Sequence, residues 1–170
     1  MPDRIDAILA QWKRERPELD TSPMGLVGRI QRAASALRPR LDATHERSGL
    51  AGDSFDVLAS LRRSGPPYQL TPTDLYREMM LSSGAMTNRI DKLEAAGLVA
   101  RKPDPDDRRG TLVRLTAKGK ALIDAATDAH VANERALLAA LNAKEQQQLG
   151  DLLRKLLIQL GDGVEPPARL

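Results

Sequence analysis

The sequence predicts a mainly α-helical fold that carries one small β-hairpin. Three observations lead there. Of the 170 residues 41% are hydrophobic but only 2% aromatic, so Leu, Ala, Val, Ile and Met must build the core, and Leu and Ala are strong helix formers. Apolar residues recur three and four positions apart over most of the chain. A single stretch, 98–115, reads instead as two strands around a charged, proline-containing loop, the second of them, Thr111 to Leu115, alternating with period two.

Each element has a local reason. Asp3 to Arg16 reads as a helix with Ile5, Ile8, Leu9 and Trp12 on one face, closed by Pro17. Thr21-Ser22-Pro23 starts a second helix, with a capping residue ahead of a helix-compatible proline. Leu26, Val27, Ile30, Ala33, Ala34 and Leu37 follow at helical spacing, and Pro39 is expected to kink it. Ser48-Gly49 and Gly52 break the chain. Asp53 or Ser54 caps a helix bearing Phe55, Val57, Leu58 and Leu61, and Ser64-Gly65-Pro66-Pro67 stops it. Thr71 to Asp74 opens a short helix through Met79 or Met80. Leu81 to Gly84 forms a tight turn, where Ser82 or Ser83 caps a further helix to about Ala96 with Gly97 as its stop. Leu98 to Arg101 is the first strand, Lys102 to Gly110 the loop, and Thr111 to Leu115 the second strand. Thr116 caps a long helix to about Leu141. Asn142 to Glu145 restarts a last helix with a stripe of Leu149, Leu152, Leu153, Leu156, Leu157 and Leu160, and the tail is expected to fray from Gly161.

Composition excludes several chemistries. There is no cysteine, so disulfides, thiolate metal sites and thiol redox sensing are ruled out. His45 and His130 lie far apart in sequence, and no metal site or cofactor is expected. No phosphate loop or nucleophile–base motif is present, so no catalytic residues are expected and a hydrolase or transferase is disfavoured. The charged N-terminus is not a signal peptide and no run is long enough to span a bilayer, so a cytoplasmic location is expected. A net charge of +3 and a pI near 9.4 are mildly basic, which is weak support for nucleic acid by themselves.

The stronger signal is the order short helix, tight turn, helix, hairpin, which is that of a winged helix-turn-helix. On a wheel Met86, Ile90 and Leu93 share the buried face of the second helix. Gly84, Thr87, Asn88, Asp91 and Lys92 then face outward, with Ser83 at the start. Asn can read adenine, Thr can touch a thymine methyl, and Lys can reach phosphate or guanine; the alternative is a solvated helix face. At the hairpin tip Arg108 and Arg109 can reach phosphates or a minor groove, with Asp104 or Asp107 orienting one of them; the alternative is a solvated turn, whose ion pairs contribute little.

The runs SGAMTNRIDKLEAAGLV at 83–99, DPDDRRG at 104–110 and LTAKG at 115–119 resemble the MarR family of bacterial transcription regulators over roughly residues 24–160. The resemblance implies a homodimer with interleaved N- and C-terminal helices, binding to double-stranded DNA at a pseudo-palindromic operator, usually repression, and relief by a small molecule. It implies an organisation of an extension helix at 1–20, a helical dimerisation region from 21–47 and 116–161, a winged helix-turn-helix at 48–115 and a tail at 162–170.

The N-terminal extension, with Trp12 in the run WKRERPELD, further resembles the urate-responsive, HucR- and PecS-like branch. That resemblance implies an effector site at Trp12, Asp56, Arg89 and Arg101. The chemistry is compatible: two arginines suit the charge and carbonyls of a planar anion such as urate, Asp56 can accept an N–H, and Trp12 can stack on its face. Arg89 falls about a sixth of a turn from the buried centre of its helix, where a guanidinium calls for an acid or an anionic ligand. Phenolic or aromatic carboxylate effectors fit the same residues. A helical interaction protein that never binds DNA fits the helix stripes but leaves the hairpin without a use.

Overall fold

The computed structural model describes residues 1–50, 54–79, 83–107 and 110–163, the side chains of Glu78 and of residues 83–85 excepted. Two compact units are present, Met1–Val131 and Ala132–Leu170. The elements run α1 (Arg4–Glu15), α2 (Ser22–Arg47), α3 (Ser54–Arg63), β1 (Gln69–Leu70), α4 (Pro72–Met79), α5 (Ser83–Ala95), β2 (Val99–Pro103), β3 (Thr111–Leu115), α6 (Ala117–Leu137) and α7 (Ala143–Gln159).

In the first unit, α1 opens with a reciprocal capping box between Asp3 and Asp6, which satisfies the first free N–H groups. It lies close against α2 because that helix offers Gly25 and Gly28: a methyl group on either would come within 2.9 Å of Leu9 or Ile5, respectively. Arg29 of α2 secures the pair by hydrogen bonding Asp3 and Asp6. Of the expected apolar face of α1, Ile5 is buried while Ile8 and Trp12 are 42% and 37% exposed.

Pro39 does not break α2, which runs through it for 26 residues. The helix ends at Arg47 with Ser48 as its cap, and Gly49, whose φ is +75°, closes it; the N–H of Leu50 returns to the His45 carbonyl and that of Gly49 to the Glu46 carbonyl, a glycine-closed terminus. Of the expected caps and turn, Asp53, Leu81 and Ser82 lie outside the described residues, while Ser54 begins α3 and Ser83 and Gly84 begin α5 rather than completing the turn. Thr71 caps α4, its hydroxyl accepting from the Asp74 N–H at 3.0 Å and donating to the Asp74 carboxylate at 2.7 Å.

The sheet corrects the two-stranded expectation. It has three antiparallel strands in the order β1-β3-β2, because Gln69 and Leu70 pair with Arg114 and Val113. The hairpin register sets Val99 opposite Leu115 and Arg101 opposite Val113, and β2 extends to Pro103, two residues beyond the expected end. The core of this unit joins Leu50, Phe55, Leu58 and Leu61 to Leu75, Met86, Ile90, Val99, Val113 and Ile123, so α3, α4, α5, the sheet and α6 share one interior. About 2–5 kcal/mol is the scale for truncating one such Leu or Ile to Ala.

The start of α6 is fitted to the end of α5. A Cβ at Gly119 would lie 1.9 Å from the Leu98 carbonyl oxygen, so only glycine permits this approach. Thr116 accepts from the Gly119 N–H and donates to the Gly97 carbonyl at 2.8 Å, while Lys118 Nζ donates to the Ala96 carbonyl at 2.8 Å. The run LTAKG is thus the joint between the second helix of the helix-turn-helix and the long helix that follows the hairpin.

His45 and His130, 85 residues apart in sequence, meet at 3.0 Å between Nε2 and Nδ1. Phe55 stacks on His45 with centroids 4.1 Å apart. Burial, then the neighbouring His130, pushes the His45 pKa below its ordinary value.

In the second unit, α6 ends at Leu137, four residues before the expected Leu141, and Asn142 and Glu145 form a capping box at the head of α7. α7 contains no buried residue. Leu152, Leu156 and Leu160 are exposed at helical spacing, together with Leu149, Leu157 and Ile158. Among the described residues no helix is long and apolar enough to cross a membrane.

Candidate nucleic-acid interface and effector site

α4 and α5 form the helix-turn-helix. Met86, Ile90 and Leu93 are 2%, 1% and 3% exposed, so the face predicted to be buried is the one anchored in the core. Thr87, Asn88, Asp91 and Lys92 are exposed. Helix α5 closes at Gly97, with φ +69°; Leu98 donates to the Leu93 carbonyl and Gly97 to the Glu94 carbonyl. That closure turns the chain from the end of α5 into β2 across three residues. Ser83 and Gly84 lie in the first turn of α5, their side chains outside the described set. A cleft of about 150 Å³ lies between α4 and α5, lined by Thr73, Tyr76 and Thr87 among others. Tyr76 is 42% exposed and adds a hydroxyl-bearing ring beside Thr87, which the wheel of α5 could not reveal because it belongs to α4.

The wing loop is held by its own backbone. Asp104 N–H donates to the Gly110 carbonyl and Gly110 N–H to the Asp107 carbonyl. The Asp104 carboxylate accepts from the Asp106 N–H at 3.0 Å, a local turn that fixes the direction of the tip. A Cβ at Gly110 would lie 2.9 and 3.0 Å from those of Asp104 and Asp107. The Asp104 carboxylate therefore helps to shape the loop. Arg108 and Arg109, the residues that Asp104 or Asp107 was expected to orient, are outside the described residues.

The four residues of the expected effector site are placed as follows. Trp12 sits on α1, one-third exposed. Asp56 is exposed in the first turn of α3, where its charge partly opposes the lowering of the His45 pKa by burial and His130. Arg89 is half-buried on α5, and its Nη1 is enclosed by protein, matching the sideways direction predicted for it. Arg101 on β2 is held by α5: its guanidinium pairs with Glu94 through Nη1 and with Asp91 through Nη2, and its backbone N–H donates to Glu94 at 2.8 Å. The backbone and side-chain hydrogen bonds from Arg101 hold the Glu94 carboxyl below the usual carboxylate range. Asp91, read from sequence as the one acid on an outward DNA face, is thus an ion-pair partner of the wing. Glu94 was not singled out; the signal was the seven-residue step back to it from Arg101 across the Gly97 turn.

A second cleft, of about 570 Å³, opens between α3 and α6, lined by Phe55, Arg62, Arg63, Asp124, Asp128 and His130 among others. Asp124 bridges Arg62 at 2.6 Å and Lys120 at 3.0 Å, and both cations lie over the Tyr68 ring. Neither cleft counts Trp12, Asp56, Arg89 or Arg101 among its lining residues.

Residues 48–110 match the model of the MarR family. Over 152 residues the chain is 36% identical to the HTH-type transcriptional regulator PecS of Dickeya dadantii, covering 89% of this chain and 92% of that protein. The chain belongs to the MarR family. It is 32% identical to the HTH-type transcriptional repressor Rv2887 of Mycobacterium tuberculosis, over 81% of this chain and 95% of that one. Its fold matches a mutant MarR from E. coli complexed with operator DNA, with a TM-score of 0.70 and 28% identity over 82% of this chain and 99% of that one. MarR-family proteins are DNA-binding transcription regulators and not enzymes, and the likeness to PecS agrees with the branch expected from the N-terminal extension.

Proposed function

We propose that the protein is a ligand-responsive repressor. It binds a pseudo-palindromic operator as a homodimer and releases it when a small planar anion such as urate binds. The observation that carries this reading is α5. It is pinned by Met86, Ile90 and Leu93, and its exposed Thr87, Asn88 and Lys92 suit a major groove. Ser83 and Gly84 fit the close approach of the helix start to the backbone, and Arg108 and Arg109 fit wing contacts to phosphate. The exposed leucines of α7 support a homodimer, since a helix with no buried residue in its own chain needs a partner to cover an apolar stripe. In this reading residues 21–47 and 116–161 dimerise, 48–115 bind DNA and 1–20 are the effector-branch extension, in a cytoplasmic protein.

The effector reading assigns Trp12, Asp56, Arg89 and Arg101 to the ligand. A ligand that engages Arg89 and Arg101 acts on the recognition helix and the wing together, and it shifts DNA affinity by as much as it prefers the DNA-free arrangement. A second reading, a phenolic or aromatic carboxylate, is favoured by one observation: the groups that Arg101 already holds are carboxylates. The test is binding to the DNA upstream of the protein's own gene at fixed salt, with and without urate. Saturable binding that urate weakens is the expected result. Binding that urate and xanthine leave unchanged but a phenolic acid weakens selects the second reading. Absence of sequence-specific binding on any genomic fragment overturns the assignment.

A further inference from the structure

We propose that Glu94 and Asp91 are positioning residues for DNA binding: through Arg101 they brace the last turns of the recognition helix to the first strand of the wing, and an anion arriving at Arg101 loosens that brace.

Three contacts converge on one residue. β2 is an edge strand, since the sheet order is β1-β3-β2. An edge leaves outward N–H groups without a neighbouring strand. The Arg101 N–H is met at 2.8 Å by Glu94 Oε1, while the other Glu94 oxygen and the Asp91 carboxylate take different nitrogens of the same guanidinium. Asp91 and Glu94 stand three residues apart, so both project from one side of α5. On the other side, Arg101 is locked in register against Val113 of β3, whose side chain is fully buried. The brace therefore ties the helix that carries Thr87, Asn88 and Lys92 to a strand of the hairpin that carries the wing tip. A single exposed ion pair contributes little. Here the guanidinium fork and the backbone N–H of one residue fix two carboxylates together, which restricts direction as well as distance.

The same geometry gives Arg101 an internal anion to exchange. An effector anion at Arg101 competes with Glu94 and Asp91 for the same guanidinium, and the helix end is released where it wins that competition. This half of the inference rests on the effector reading above, while the brace itself does not.

The test is a neutralisation cycle read by operator affinity at several salt concentrations, using the full-length protein and E94Q, R101Q and E94Q/R101Q. Thermal melts accompany each variant to establish that it is folded. The brace predicts that E94Q and R101Q each weaken binding by about ten-fold, with the double variant no weaker than R101Q, as coupled residues behave. It also predicts an unchanged dependence of affinity on salt for E94Q. Loss of a phosphate contact would reduce that slope by about one, and this would identify Arg101 as a DNA ligand if R101Q alone showed it. D91N serves as the second variant if E94Q does not fold, with the same direction expected. Wild-type affinity in both E94Q and D91N overturns the brace, as do losses that simply add in the double variant. For the effector half, the urate concentration that half-releases DNA should fall several-fold in E94Q, and an unchanged concentration overturns it. A wild-type protein indifferent to urate removes the effector reading alone, and the cycle still decides the brace.

Discussion

At the scale of the residue, the strongest constraints are steric and ionic. Gly119 is held 1.9 Å, measured to an added Cβ, from the Leu98 carbonyl. Gly119→Ala should cost at least about 2 kcal/mol, as overpacking against backbone does, and a denaturant midpoint measurement would detect it. An unchanged midpoint would mean that α6 does not start where it is described. His45 gives a pH dependence with a definite sign. Its folded pKa is lowered from 6.5, chiefly by burial and then by His130, while Asp56 and Asp42 oppose the shift and Arg38 adds to it. The unfolded chain then binds a proton more readily than the folded one. The stability from this group is present above about 6.5 and is lost as pH falls through the lowered folded value. Melting temperature should decline between pH 7 and 5, and His45→Phe should flatten the slope; an equal slope in both proteins would assign the effect elsewhere. The carboxylates held low by their partners, Asp3, Glu94 and Asp124, act in a separate window below the ordinary carboxylate range.

At the scale of the element, much was legible in the sequence because periodicity and caps are local. Met86, Ile90 and Leu93 announced the buried face of α5, Gly97 its end, and Asn142 with Glu145 the start of α7. Two features were not legible. β1 has only two residues, too few for a period to show, and it exists through its pairing with Arg114 and Val113. The fates of Asp91, Glu94 and Arg101 depend on how the hairpin folds back over α5, which no single-helix wheel contains. The site reading at this scale is tested by Asn88→Ala, which should weaken operator binding by about 1–3 kcal/mol and relax sequence preference at one position. Lys92→Ala should weaken binding to all sequences alike and reduce the salt slope. Identical behaviour of the two variants would argue that α5 does not lie in a groove.

At the scale of the whole molecule, the described residues leave apolar side chains exposed on two helices. Leu152 and Leu156 on α7 and Leu160 at its C-cap are 67%, 39% and 71% exposed, and Met24, Leu26 and Val27 on α2 are also open. The homodimer proposed here accounts for both. Leu152→Glu combined with Leu156→Glu should shift the mass in light scattering from dimer to monomer and abolish operator binding, because half-sites are held one helical turn apart only by a dimer. A double variant that stays dimeric would place the interface elsewhere.

The central claim is that two copies of α5 read a symmetric site, and footprinting on the DNA upstream of the protein's own gene tests it most directly. The account predicts two protected segments, about ten base pairs between centres and related by an inverted repeat, both lost together in Asn88→Ala and both reopened by effector. A single unsymmetrical footprint, or protection that survives Asn88→Ala with its sequence preference intact, would contradict it.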